Sequence, residues 1–145
     1  MSLKQEMFHS KNDSWETPDD LFAELDDEFH FTLDACANSE NKKCDVYFTK
    51  EKDGLLMPWE GVVWCNPPYG HSVGRWVQKA SESAKGDATV VMLLFARTDT
   101  KWFHEYIYNK PGVEVRFIKG RLRFKGAKHN AFFPSMIVIF RGYAE

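Results

Sequence analysis

Apolar positions in this chain fall into helically spaced stripes and short unbroken runs. Leu21, Phe22, Leu25 and Phe29 share one helical face, and they follow Thr17-Pro18-Asp19-Asp20, which reads as a helix start. Thr17 can cap, Pro18 suits the first turn, and the acids favour the positive end of the helix dipole. Val73, Trp76, Val77, Ala80 and Ala84 predict a second helix over residues 72–85, and Trp102, Phe103 and Tyr106 a third over 98–108.

The runs predict strands. A short one over 31–33 ends at Asp34, and a weaker one covers 47–49. Stronger runs lie at 61–65 and 88–95, the latter apolar enough to be buried on both faces. Three more strands are expected near 113–118, 121–124 and 135–140, with Lys119-Gly120 turning the chain between the first two. Strands and helices that alternate before an antiparallel closing portion predict an α/β sandwich with a mixed sheet. Residues 1–14 are polar and are expected to form a mobile arm, leaving 15–145 as a single catalytic domain.

The run at 61–65 breaks at Asn66-Pro67-Pro68-Tyr69, because two prolines forbid both continued strand pairing and an immediate helix. The motif therefore sits at the carboxyl end of a strand, where open α/β sheets bind ligands. Asp34 is expected at the same edge. An aromatic amino group is a poor nucleophile, since its lone pair is delocalised into the ring. Two acceptors aimed at its N–H bonds would localise that pair, and the Asn66 side-chain oxygen and the Pro67 carbonyl can supply them. Tyr69 offers a flat face for an extruded base, and in-line displacement on a sulfonium methyl then needs positioning more than a strong base.

In this order the residues resemble the small phage and prophage DNA N-6-adenine methyltransferases, a branch of the Rossmann-like amino-methyltransferases. The resemblance runs from about Trp15 to Phe140. It is carried by Trp15-Glu16-Thr17-Pro18 with Leu21-Phe22, Asp34-Ala35-Cys36-Ala37, Asp53-Gly54-Leu55 with Trp59, Asn66-Pro67-Pro68-Tyr69, Arg97-Thr98-Asp99-Thr100 and Gly120-Arg121-Leu122 with Phe124. It implies an abbreviated Rossmann-like methyltransferase sandwich that uses S-adenosylmethionine to methylate the exocyclic amino group of a flipped adenine in double-stranded DNA. It further implies that Asn66, Pro67, Pro68 and Tyr69 hold the adenine. Trp15, Thr17, Pro18, Asp34, Ala35 and Asp53 would then line the donor pocket, with Arg121 and Arg123 on the DNA. Lys125 and His71 are further candidates for DNA contact.

The glycine-rich loop usual in the wider superfamily is replaced by Asp34-Ala35-Cys36-Ala37. Only 18 residues separate Asp34 from Asp53, too few for a helix and strand with their connections, so that side of the sheet should be shortened. Asp45 and Glu51 are candidates for the acidic ligand of the donor's ribose.

Charge sharpens the choice of acceptor. The net charge of −2 hides an asymmetry: residues 1–60 carry 6 Lys+Arg against 15 Asp+Glu, whereas residues 61–145 carry 13 against 6. Between 110 and 128 seven basic residues face only Glu114, a local basic surface suited to nucleic acid. This favours DNA over a protein glutamine amide, which the same tetrapeptide also serves. The residues are also compatible with an RNA adenine as acceptor, or with an inactive DNA-binding remnant of the fold. No separate recognition domain fits in the chain, so target specificity must come from loops, the basic final third or a second subunit.

Three cysteines without a CxxC pair and five scattered histidines suggest neither a disulfide framework nor a metal site. No apolar run approaches the ~20 residues needed to cross a bilayer, so a soluble protein of the cytoplasm is expected, the host's if phage-encoded.

Overall fold

The computed structural model describes residues 15–142. The expected N-terminal arm lies outside them. Helix α1 (Asp19–Phe29) places Asp19 and Asp20 in its first turn and ends at His30, whose left-handed conformation (φ 56°) lets its N–H reach the Asp26 carbonyl at 2.8 Å. Strands β1 (Leu33–Asp34), β2 (Val62–Cys65), β3 (Thr89–Phe95), β4 (Val113–Phe117) and β5 (Ser135–Phe140) form one sheet in the order β1-β2-β3-β5-β4. The pairs β1–β2 and β2–β3 are parallel. Those of β5 with β3 and β4 are antiparallel. This is the α/β architecture with an antiparallel closing portion that the pattern predicts.

Side chains alternate across the sheet, and each face has its own cover. Val90, Met92 and Leu94 of β3, with Met136, Val138 and Phe140 of β5, share a core with Trp76, Val77, Ala80 and Ala84 of helix α2 (Val73–Lys85). Trp64, Val91, Leu93, Phe95, Ile137 and Ile139 instead pack with Leu25 of α1 and with Phe124 and Ala131. Burial on both faces explains the unbroken apolar runs of β3 and β5.

On the β1 side the sheet is short, as the close spacing of Asp34 and Asp53 predicts. The expected 47–49 strand reduces to a parallel bridge between Tyr47 and Asp34. A 3₁₀ turn (Gly54–Leu56) packs behind it, so tightly that a Cβ on Gly54 would lie 2.3 Å from the Ala35 carbonyl oxygen.

Three expectations are corrected. No strand forms at 121–124: Leu122 and Phe124 turn to the core and Arg121 and Arg123 to solvent without a ladder partner, because β5 already pairs β3 and β4 on its two sides. Within 98–108 the regular element is a π-helix (Phe103–Ile107), closed by the Tyr108 N–H on the Phe103 carbonyl at 2.8 Å. Its wider turn keeps the four-apart pairs Trp102/Tyr106 and Phe103/Ile107 against the core. Thr17 does not cap α1; Pro18 holds the N-cap position and makes no side-chain cap bond, and the first-turn Leu21 N–H donates to the Asp20 carboxylate at 2.9 Å.

The topology brings the basic segment to the edge of the sheet that carries Asp34 and Asn66. Phe95 at the end of β3 pairs with Ser135 at the start of β5, and the Ala96 N–H donates to the Pro134 carbonyl at 2.8 Å. The connection from β4 to β5, residues 118–134, therefore lies at the end of the sheet where β1, β2 and β3 terminate.

Candidate active site

Asn66 leaves β2 at this edge, and its carboxamide is bonded on both sides. Its Nδ2 donates to the Trp15 carbonyl and, at 3.0 Å, to Thr17 Oγ1; its Oδ1 accepts from the Tyr69 hydroxyl at 2.9 Å. The Trp15 carbonyl can only accept, which settles which end of the amide faces it. The Tyr69 hydroxyl also lies 3.1 Å from the Leu93 carbonyl, so its single proton is shared between two acceptors.

The open Tyr69 face expected from the sequence is closed. The residue is 6% exposed, its ring stacks on Phe95 with centroids 4.3 Å apart, and Phe124 meets it edge-on. Burial raises the Tyr69 hydroxyl's pKa well above its ordinary value, so it acts here as a neutral donor. Pro67 is buried and Pro68 half-buried beside it.

Across from Asn66, Asp34 is 2% exposed, and its carboxylate accepts from the backbone N–H groups of Cys36 at 3.2 Å and Lys43 at 3.0 Å. Desolvation outweighs those bonds and raises its pKa to about 6. Trp15, Thr17, Asp34, Lys43, Trp64 and Asn66 together line a cleft of about 20 Å³. Trp15 contributes a buried indole N–H that has no hydrogen-bond partner among the described residues. Thus Trp15, Thr17 and Asp34, expected around one pocket, are brought together with Asn66.

Others fall elsewhere. Asp53 is exposed, and its carboxylate accepts from the Leu55 N–H at 3.1 Å, capping the 3₁₀ turn rather than lining the cleft. Ala35 is fully buried under Gly54, and Pro18 serves α1, its carbonyl accepting from the Phe22 N–H at 3.1 Å. Asp45 and Glu51 are exposed and are not among the residues lining the cleft. Lys43 and Trp64 line it although no motif marks them; strand alternation in β2 could have put Trp64 on the α1 face, but nothing local announces Lys43.

Of the basic candidates, Arg121 and Arg123 are exposed, and each guanidinium donates to a backbone carbonyl of its own segment, Phe132 and Ala127 respectively. Among the described residues no carboxylate pairs with either. Lys125 differs. Its ammonium lies 3.3 Å from Asp19 and 3.8 Å from Glu16, and its N–H donates to the Glu16 carbonyl at 2.9 Å. Asp19, which also meets Lys43 at 3.4 Å, has its pKa lowered mainly by the Lys125 bond. His71 is exposed in the turn before α2.

The three cysteines are free thiols, and burial pushes Cys36 and Cys44 up to about 12. Among the described residues no group of three or more His, Cys, Asp or Glu is placed to hold a metal, and no helix is long and apolar enough to cross a membrane.

Comparison with known proteins gives this geometry a context. Residues 4–145 match the family profile described as DNA N-6-adenine-methyltransferase (Dam). The chain is 31% identical over 149 residues to the DNA N-6-adenine-methyltransferase of Haemophilus phage HP1 (strain HP1c1), an alignment covering 97% of this chain and 85% of the phage protein. It is 36% identical over 113 residues to the DNA N-6-adenine-methyltransferase of Escherichia phage T1, covering 76% of this chain and 46% of that protein. With the profile spanning nearly all of its length, the chain belongs to the DNA N-6-adenine-methyltransferase (Dam) family.

Proposed function

We propose that the chain carries out this family's reaction, methylation of the exocyclic amino group of a DNA adenine, beside Asn66, with S-adenosylmethionine held between Trp15 and Asp34. The observation that carries this reading is the fixed Asn66 carboxamide. Both of its N–H groups are engaged, while its oxygen has accepted one bond and keeps a second lone pair for the substrate.

That lone pair and the Pro67 carbonyl would accept the two N–H bonds of the amino group and draw the nitrogen's own pair out of the ring. The prolines hold the carbonyl's backbone still. Orientation of this kind is worth about 7 to 11 kcal/mol in well-positioned systems, enough to dispense with a strong base.

The cleft's chemistry fits the donor. When bound, S-adenosylmethionine supplies an electrophilic methyl group on a sulfonium sulfur. The Trp15 indole N–H, without a partner among the described residues, suits an acceptor on such a ligand, and the Asp34 carboxylate, held from water, suits its cationic amino group. A cleft of about 20 Å³ is far smaller than the ~300–1,000 Å³ of small-molecule sites. Donor entry would have to widen it, and the 38–43 turn, which lines it through Asn41 and Lys43 and leans on Asp34 through the Lys43 N–H, is the wall to displace. Arg121 and Arg123 on the β4–β5 connection would bind phosphate.

The test is incubation of the protein with labelled S-adenosylmethionine and duplex DNA, followed by digestion to nucleosides. Label is expected in N-6-methyl-2′-deoxyadenosine from the DNA, and Asn66→Ala should abolish it while sparing donor binding. Equal loss of transfer and donor binding in a folded Asn66→Ala protein would refute the role given to Asn66.

A further inference from the structure

We infer that Thr17 is a positioning residue for methyl transfer: its hydroxyl oxygen holds the Asn66 carboxamide in the orientation that presents Oδ1, not Nδ2, to the substrate. The inference rests on the proposed acceptor role of Asn66.

A threonine before Pro18 at a helix start has an obvious use as a cap, and this one is not used so. The N-cap of helix α1 is Pro18, without a side-chain cap bond, and Thr17 is 2% exposed with Oγ1 at 3.0 Å from Asn66 Nδ2, 49 residues along the chain. The residue before a proline is pushed to extended backbone, and the segment is then pinned by the antiparallel bridge between Glu16 and Lys125 and by the Trp15 ring set edge-on against Phe124. Thr17 is thus held from both sides with its hydroxyl oxygen on Asn66.

A carboxamide flips at little intrinsic cost, so its partners decide which end faces the substrate. Here the Trp15 carbonyl and Thr17 Oγ1 satisfy both N–H groups of Asn66, and the Tyr69 hydroxyl satisfies one oxygen lone pair. Without Thr17 Oγ1 one N–H is left without a protein partner. It then has two ways to be satisfied, by rotating the amide away from Tyr69 or by turning toward the substrate, where a donor would meet the donors of the amino group. Either change falls on the reacting geometry, not on affinity for the methyl donor.

The competing role is a wall of the donor pocket, since Thr17 also lines the cleft. The two roles separate kinetically. Thr17→Val keeps shape and removes the acceptor; Thr17→Ser keeps the acceptor and removes a methyl. Single-turnover methylation of duplex DNA, with S-adenosylmethionine affinity measured by titration calorimetry, is expected to give a rate at least tenfold lower for Thr17→Val with donor Kd within twofold of the parent. Thr17→Ser should return to within threefold of the parent rate. A normal rate in Thr17→Val, a loss confined to donor Kd, or equal impairment of both variants would overturn the inference. If Thr17→Val does not fold, Thr17→Ala against Thr17→Ser makes the same comparison. Asn66→Ala in the same series keeps the two ideas apart. Full transfer by Asn66→Ala defeats the acceptor role itself, whereas its loss beside an unimpaired Thr17→Val defeats only the positioning.

Discussion

The Tyr69 hydroxyl lies 2.9 Å from the Asn66 side-chain oxygen, so the last residue of the tetrapeptide serves its first. With its ring stacked on Phe95, Tyr69 supports Asn66 from the core. Tyr69→Phe is therefore expected to fold with a loss of about 1 to 3 kcal/mol, left by the unmet Leu93 carbonyl and Asn66 oxygen, and to slow transfer without weakening DNA affinity. Tyr69→Ala should cost about 3 to 5 kcal/mol through the cavity it opens, on the scale of buried aromatic truncations. Urea denaturation and single-turnover rates check both; a Tyr69→Phe protein with full rate would show that the hydroxyl does not support Asn66 in transfer.

Asp34 makes stability depend on pH in an unusual direction for a carboxylate. Its pKa is raised from 3.8 to about 6 by burial, so between those values the folded state binds more protons than the unfolded state. Its contribution to stability is thus fullest below about pH 4, falls as pH rises to about 6, and is flat above. The span is on the order of 3 kcal/mol. A carboxyl chemical-shift titration should find a midpoint near 6, with donor affinity declining below it as the carboxylate is neutralised. A midpoint under 3.8 would show that the backbone donors of Cys36 and Lys43 outweigh desolvation.

Basic residues on the β4–β5 connection should divide by their partners. Arg121 and Arg123 have no carboxylate partner among the described residues, and their joint replacement by alanine should reduce the slope of log affinity against log salt by about 0.9 for each phosphate they had neutralised. Lys125 already faces Asp19 and Glu16, so Lys125→Ala should change the slope less than either arginine. Equal slope changes for all three would place Lys125 on the DNA with them.

Gly54→Ala should strain the packing behind β1, next to Asp34. The added Cβ would stand 2.3 Å from the Ala35 carbonyl oxygen and 3.1 Å from the Trp76 ring, a clash with backbone that no rotamer relieves. A loss of about 1 to 3 kcal/mol is expected, as for other overpacked sites, together with weaker donor binding through Ala35 and its neighbour Asp34. Unchanged chemical denaturation would show that the 3₁₀ turn yields freely.

Local pattern carried much of the architecture. The helical spacing from Val73 to Ala84, the apolar runs of β2, β3 and β5, and the prolines that end β2 at Asn66 all act within a few residues, so periodicity and backbone stereochemistry make them readable in the chain alone. The shortened sheet beside Asp34 is likewise legible, from the 18-residue interval to Asp53, whereas the Rossmann-like character comes from the resemblance of the ordered motifs.

What the tertiary structure decided are the partners. Nothing within the reach of Thr17's sequence neighbours shows that its hydroxyl leaves the helix cap for Asn66, that Tyr69 is roofed by Phe95 and Phe124, or that Asp19 and Glu16 take up the charge of Lys125. The motif spacing that suggested Asp53 as a pocket residue likewise could not reveal that its carboxylate turns back to the Leu55 N–H. Hydrogen bonds and ion pairs between residues 49 or 106 positions apart depend on how layers stack and where loops return. A short window of sequence contains the side chain but not the atom it will meet.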